Sequence, residues 1–249
     1  MTLSLRSRGV RSLLLDIEGT TTPIAFVHQT LFPFARAHVQ EFLASQISSP
    51  AVGAAVDRLQ AEWADDASRG NDPPGGDEAL GRDQSSIARY VVWLMDRDRK
   101  SAGLKLLQGR IWETGYRTGA LKGEVFDDVP PAFERWRRDG ITIAIYSSGS
   151  VLAQQLLFGT TAAGDLTRFI SSFFDTAVGA KTSVESYRRI ARALERRPQE
   201  MLFVSDVAAE LDAARRAGCQ TALSIRPGNP DQPVSPQTPV VGTFDDIVA

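Results

Sequence analysis

The sequence predicts an α/β protein: a parallel sheet alternating with helices, interrupted after its first strand by an all-helical insert. Apolar runs at residues 13–15, 141–146, 201–204 and 221–225 have strand length and end abruptly in polar residues. Helical spacing of apolar residues follows the second and third of these runs. From about Ala25 to Lys122 there is helical spacing and no convincing strand. The expected division is therefore an α/β core of residues 1–23 and 123–249, with residues 24–122 forming a helical domain able to bury a core of its own.

In order, the first strand, Leu13-Leu14-Leu15, runs into Asp16-Ile17-Glu18-Gly19-Thr20, where glycine and hydroxyls mark a turn. Alternation along a continuing strand would put Asp16 and Glu18 on one side, so a cation between them or a proton on one is expected. The insert carries helical apolar series at Val27, Leu31 and Phe34, at Val52, Val56, Leu59 and Trp63, at Ile87, Val91 and Leu94, and at Leu104, Leu107 and Ile111. A loop rich in turn formers, Gly70-Asn71-Asp72-Pro73-Pro74-Gly75-Gly76-Asp77, divides it. Its aromatic residues Phe34, Phe42, Trp63, Trp93 and Trp112 are expected in the bundle core.

Beyond the insert, Pro130-Pro131 opens a helix that stops at Gly140. The strand after it ends at Ser147-Ser148-Gly149-Ser150, and the helix begun there offers N–H groups and a dipole suited to phosphate. Phe173 to Lys181 reads as a less regular connection, and Thr182-Ser183-Val184-Glu185 as a capping box. The next strand stops at Ser205-Asp206, and its helix runs to Gly218. A last strand reaches Arg226, and the proline-rich tail reads as loop.

Composition narrows the function. A net charge of -2 over 249 residues gives no electrostatic case for nucleic acid. The apolar runs are far short of a membrane span, and a soluble, cytoplasmic protein is expected. One cysteine, Cys219, excludes a disulfide framework, and no G-x-S-x-G surrounds a serine. What remains for catalysis is carboxylates, hydroxyls and lysines.

Those groups stand at strand ends, where ligands bind in open α/β sheets: Asp16 with Glu18, then Ser147 with Ser148, then Lys181, then Asp206 with Glu210 one helical turn on. Together they suit phosphoryl transfer. Asp16 would attack phosphorus, Asp16 and Asp206 would hold Mg²⁺, and Ser147 and Lys181 would meet the phosphoryl oxygens. Glu18 would give a proton to the leaving oxygen, and Glu210 would act from behind by orienting metal-bound water. Taken singly, each has an ordinary reading: a capping serine, a surface lysine, a turn-forming aspartate, an exposed helix glutamate. Their order along the chain is what argues against coincidence.

Asp16-x-Glu18-Gly19-Thr20, Ser147, Lys181 and Asp206-x-x-x-Glu210 resemble the four motifs of the haloacid dehalogenase superfamily. Glu18 stands where most of its phosphatases have aspartate. That departure, with Leu14-Leu15-Asp16-Ile17-Glu18-Gly19-Thr20-Thr21-Thr22-Pro23-Ile24-Ala25-Phe26-Val27, resembles the enolase-phosphatase branch of methionine salvage. So do Asp98-Arg99-Lys100, Leu104-Lys105-Leu106-Leu107-Gln108-Gly109 and Arg226-Pro227-Gly228-Asn229.

The resemblance implies a Rossmann-like core with residues 24–122 as a mobile cap. It implies one Mg²⁺ per subunit, held by Asp16, Asp206 and the Glu18 carbonyl, with substrate on Ser147, Ser148 and Lys181. It also implies a monomer that enolises and then dephosphorylates a small phosphorylated diketone, 2,3-diketo-5-methylthiopentyl 1-phosphate. The alternatives are a phosphatase of the same superfamily acting on another small ester, and a non-catalytic receiver-like module.

Overall fold

The computed structural model describes residues 2–75, 79–233, 235 and 238–249; Gly76 and Asp77 of the expected loop lie outside them. The strands are β1 (Leu3–Ser4), β2 (Ser12–Leu15), β3 (Thr142–Tyr146), β4 (Ser172–Phe174), β5 (Met201–Ser205), β6 (Gln220–Ser224), β7 (Val240–Val241) and β8 (Ile247–Val248). Six of them form one sheet in the order β4-β3-β2-β5-β6-β7, with every neighbouring pair parallel. β2 and β5 are buried along their whole length, which is why they read as unbroken apolar runs. β1 and β8 pair separately, Leu3 opposite Ile247.

β2 is the point where strand order reverses: β3 and β4 extend the sheet on one side, and β5, β6 and β7 on the other. Leu15 lies level with Ile145 of β3 and Val204 of β5. Asp16 therefore leaves the sheet level with Tyr146 and Ser205, the last residues of β3 and β5, at the switch point where α/β proteins bind ligands.

The chain forms two compact units, one of Met1–Val27 with Lys122–Ala249 and one of His28–Leu121. In the first, Leu14, Ala144, Tyr146 and Phe203 form one buried cluster with Tyr187 and Ile190 of α8 (Val184–Ala193) and Leu211 and Ala214 of α9 (Ala208–Arg216). A second aromatic group joins Phe133 and Trp136 of α6 (Val129–Arg138), Phe158 of α7 (Val151–Gly159) and Phe244, with ring centroids 5.1 to 6.1 Å apart. The chain re-enters this unit at Gly123, whose N–H donates to Thr160 O. A Cβ there would lie 1.8 Å from Leu157 O, so only glycine fits.

The second unit consists of α2 (Phe32–Gln46), α3 (Pro50–Ser68), α4 (Gln84–Asp96) and α5 (Ala102–Thr118). A short helix, α1 (Ile24–Phe26), precedes α2, followed by a π-helical turn over Val27–Leu31 that leads into it. Ser49, Asp83 and Ser101 cap α3, α4 and α5 through their side chains, meeting N–H groups that the first turn leaves unpaired. Trp63, Trp93 and Trp112 are buried, while Phe34 and Phe42 are half-buried. Buried Asp66 accepts from Tyr90 OH at 2.8 Å, Asn71 Nδ2 at 2.8 Å and Arg99 at 2.5 Å, tying α3 to α4. Burial works against its charge, but these three donors hold its carboxyl below the ordinary aspartate range.

Three sequence expectations need correction. The connection expected at Phe173-Phe174 contains strand β4, and the tail expected to be loop contributes β7 and β8. Ser183 caps α8 by position only: its side chain accepts no capping bond, and Glu185 pairs with Arg192 at 2.6 Å. Among the described residues, no helix is long and apolar enough to cross a membrane.

Candidate active site

Asp16 is the first residue past β2, its N–H still donating to Val204 O at 3.0 Å. The backbone then winds at once. Ile17 O accepts from the N–H groups of Thr20, Thr21 and Thr22, and Gly19 takes φ +66°, open to glycine without strain. The strand thus stops before Asp16, and the alternation expected to align Asp16 with Glu18 does not run through this turn. Glu18 is half-buried within it.

The Asp16 carboxylate is held on three sides. Ile17 N–H donates to Oδ1 at 2.7 Å, Lys181 Nζ lies 2.7 Å from Oδ2, and Ser205 Oγ donates to Oδ2 at 3.1 Å. Lys181 is also 2.7 Å from Glu210 Oε2, and its side chain is only 10% exposed. Three consecutive carbonyls fix its loop: Tyr146 OH donates to Gly179 O, Ser186 Oγ to Ala180 O and Tyr187 OH to Lys181 O, at 2.9, 2.7 and 2.7 Å. Burial disfavours the ammonium, but Asp16 and Glu210 outweigh it and keep its pKa above the ordinary lysine value.

β5 delivers the other side of the site. Ser205 stands beside Asp16 in the ladder, and its hydroxyl lies 3.1 Å from both Asp16 Oδ2 and Glu210 Oε2 while accepting from Val207 N–H. One hydroxyl hydrogen serves one of those carboxylates at a time. Asp206 follows, 6% exposed. Burial and then the charge of Asp16 push its carboxyl up to about 7. Glu210, in the first turn of α9, is raised by burial and then by Asp16, with Lys181 opposing. It is an inward partner of the lysine and not an exposed helix residue.

After β3, Ser147 is buried, its Oγ accepting from Gly149 N–H at 3.2 Å, while Ser148 is exposed. Capping of α7 falls to Ser150, which accepts from Ala153 N–H. The structure thus brings Asp16, Lys181, Asp206 and Glu210 together and places Ser147 and Ser148 at the neighbouring strand end. Sequence reasoning missed Ser205, which only the pairing of β5 with β2 brings to Asp16.

Asp16, Asp206 and Glu210 face one ammonium, which leaves a surplus of negative charge in a buried place. Among the described residues, no three acidic, imidazole or thiol side chains converge on one point, so a metal here would rest on two carboxylates completed by main-chain oxygen and water. Hard oxygen donors with excess negative charge fit Mg²⁺, which keeps several waters and takes one or two carboxylates.

This fold and site define a hydrolase of the haloacid dehalogenase-like type, and the family model of that description matches residues 10–218. Enolase-phosphatase E1 of Synechococcus elongatus is 50% identical over 96% of this chain and 98% of its own length. The Drosophila melanogaster protein of the same name is 44% identical over 91% of this chain and 88% of its own. The crystal structure of UTR4 protein from Saccharomyces cerevisiae aligns with TM-score 0.74 at 32% identity, covering 95% of this chain and 99% of that one. The chain belongs to the enolase-phosphatase E1 family of haloacid dehalogenase-like hydrolases, enzymes of the phosphatase class.

Proposed function

We propose that this protein is the enolase-phosphatase of methionine salvage. It would convert 2,3-diketo-5-methylthiopentyl 1-phosphate, by enolisation and then hydrolysis, into the acireductone 1,2-dihydroxy-3-keto-5-methylthiopentene. The observation that carries the chemistry is the pairing of Lys181 with Asp16, 2.7 Å apart, at the end of the central strand beside Asp206. Likeness to enolase-phosphatase E1 proteins over nearly the whole chain supports this substrate over another ester.

Asp16, Asp206 and the Glu18 carbonyl would hold Mg²⁺, which when bound polarises substrate oxygens and offsets phosphoryl charge. The Glu18 carboxylate takes a proton from the carbon next to the carbonyl, and the enolate oxygen takes one from solvent, leaving the enol and a protonated Glu18. Asp16 then attacks phosphorus and the phosphorus–oxygen ester bond breaks. The departing oxygen receives a proton from Glu18, and an aspartyl-phosphate remains. Glu18 next accepts a proton from water, whose oxygen attacks phosphorus, returning Asp16 and inorganic phosphate. Lys181 spreads positive charge over Asp16 and the phosphoryl oxygens, while Ser147 and Ser148 donate to the phosphoryl group. The helical unit is assigned as the cap that selects substrate.

The test follows enol absorbance and released phosphate together, with purified protein, Mg²⁺ and the diketo phosphate or its desthio analogue. Both signals are expected, with phosphate release lost in Asp16→Asn and enolisation lost in Glu18→Gln. Phosphate from other small esters but not from this one would overturn the substrate. Full enolisation by Glu18→Gln would remove the proton role of Glu18.

A further inference from the structure

The segment Arg226-Pro227-Gly228-Asn229 has no part in the mechanism above, yet it grips the turn that follows Asp16. Asn229 Nδ2 donates to Gly19 O at 2.9 Å and to Ser224 O at 3.3 Å. Ser224 Oγ donates to the same Gly19 oxygen at 3.1 Å, and Arg226 Nε to Thr20 O at 3.2 Å. The orientation of the Asn229 amide follows from its neighbours, because reversing it would set Oδ1 against two carbonyl oxygens.

Oδ1 therefore points the other way, where it is buried and receives no hydrogen bond from the protein. A Cβ built on Gly19 would lie 3.0 Å from this Oδ1 and 2.5 Å from Asp206 Oδ2. Both acceptors lie close to one point, the place that a Gly19 side chain would fill. A buried acceptor without a donor is costly, and a second acceptor beside it adds to the cost. A hydrated divalent cation held at Asp206 supplies a donor where Oδ1 needs one.

We propose that Asn229 is a positioning residue for the divalent cation: Nδ2 fixes the Gly19 turn, and Oδ1 accepts from the hydration shell of a cation held at Asp206. This rests on the Mg²⁺ reading under the proposed function. The test titrates Mg²⁺ alone into chelator-washed, full-length protein by calorimetry, with the metal-free melting temperature measured in parallel. Outer partners of metal sites are worth about 10- to 100-fold in affinity, and Asn229→Ala is expected to weaken Mg²⁺ by that factor.

Ser224→Ala removes a rival donor to Gly19 O but leaves Oδ1 in place, so it is expected to stay within about threefold of the parent. Asn229→Gln keeps both the amide donor and the acceptor, and is expected to retain more of the affinity than Asn229→Ala. Equal losses in Asn229→Ala and Ser224→Ala would reduce Asn229 to a backbone clamp and overturn the proposal. Asn229→Ala binding like the parent would do the same. Parent protein that binds no Mg²⁺ would instead overturn the metal reading itself. Should Asn229→Ala fail to fold, Asn229→Ser, whose shorter side chain also removes Oδ1, takes its place beside Ser224→Ala.

Discussion

In protein washed free of divalent cations, Asp206→Asn is expected to stabilise the fold, and to do so more as pH rises. Burial and the neighbouring Asp16 raise the Asp206 carboxyl from 3.8 to about 7. A carboxyl raised on folding favours its protonated form, so ionisation costs stability. The penalty is absent below the unfolded value, grows between about pH 4 and pH 7, and is level above that. Moving the carboxyl that far corresponds to a ceiling of about 4 kcal/mol. Between about pH 5.5 and about pH 8 the penalty grows by about 2 kcal/mol, or about 4–8 °C in melting temperature for a chain of this size. Thermal melts of parent and Asp206→Asn in chelator across that range measure it directly. With Mg²⁺ the order should reverse, because the parent gains a ligand that the amide holds poorly. A difference that does not change with pH, or an asparagine variant that melts lower throughout in chelator, would refute the charge argument.

Lys181→Met leaves Asp16 and Glu210 together without their cation, and phosphate release should fall about 100- to 1,000-fold, the usual cost of one preorganised electrostatic donor; a steady-state assay within tenfold of the parent would contradict it. Gly123→Ala forces a Cβ to 1.8 Å from Leu157 O, a main-chain atom that no rotamer change can move aside. Chemical denaturation should show a loss of about 3 kcal/mol or more. Cys219 is buried, and burial pushes its thiol up to about 12. Thiol reagents at neutral pH should label it only as fast as the protein unfolds, and rapid labelling of native protein would count against its placement.

The parts legible in the sequence were those whose physics is local or repeated. β2, β3, β5 and β6 are nearly or wholly buried, so their apolar runs announced them. β4 escaped because it is three half-buried residues at the sheet edge, and β7 because it is two. Strand ends pointed to Asp16 and Asp206, since a parallel sheet gathers its carboxyl ends on one side. Ser205 was hidden because a serine at a strand end looks like a helix cap; only the pairing of β5 with β2 brings it to Asp16. The grip of Asn229 on Gly19 spans 210 residues and has no local signature.

The place of β2 in the chain also sets a problem of timing. It occupies the middle of the sheet, yet its two neighbours begin at Thr142 and Met201. A chain leaving the ribosome exposes Leu13, Leu14 and Leu15 long before either partner exists. The helices of His28–Leu121 find their contacts among themselves, and local contacts form fast. The nascent chain thus carries an assembled helical unit behind an unmatched apolar strand, which is the interval most open to misassociation. A permuted order in which this strand follows its partners would shorten that interval.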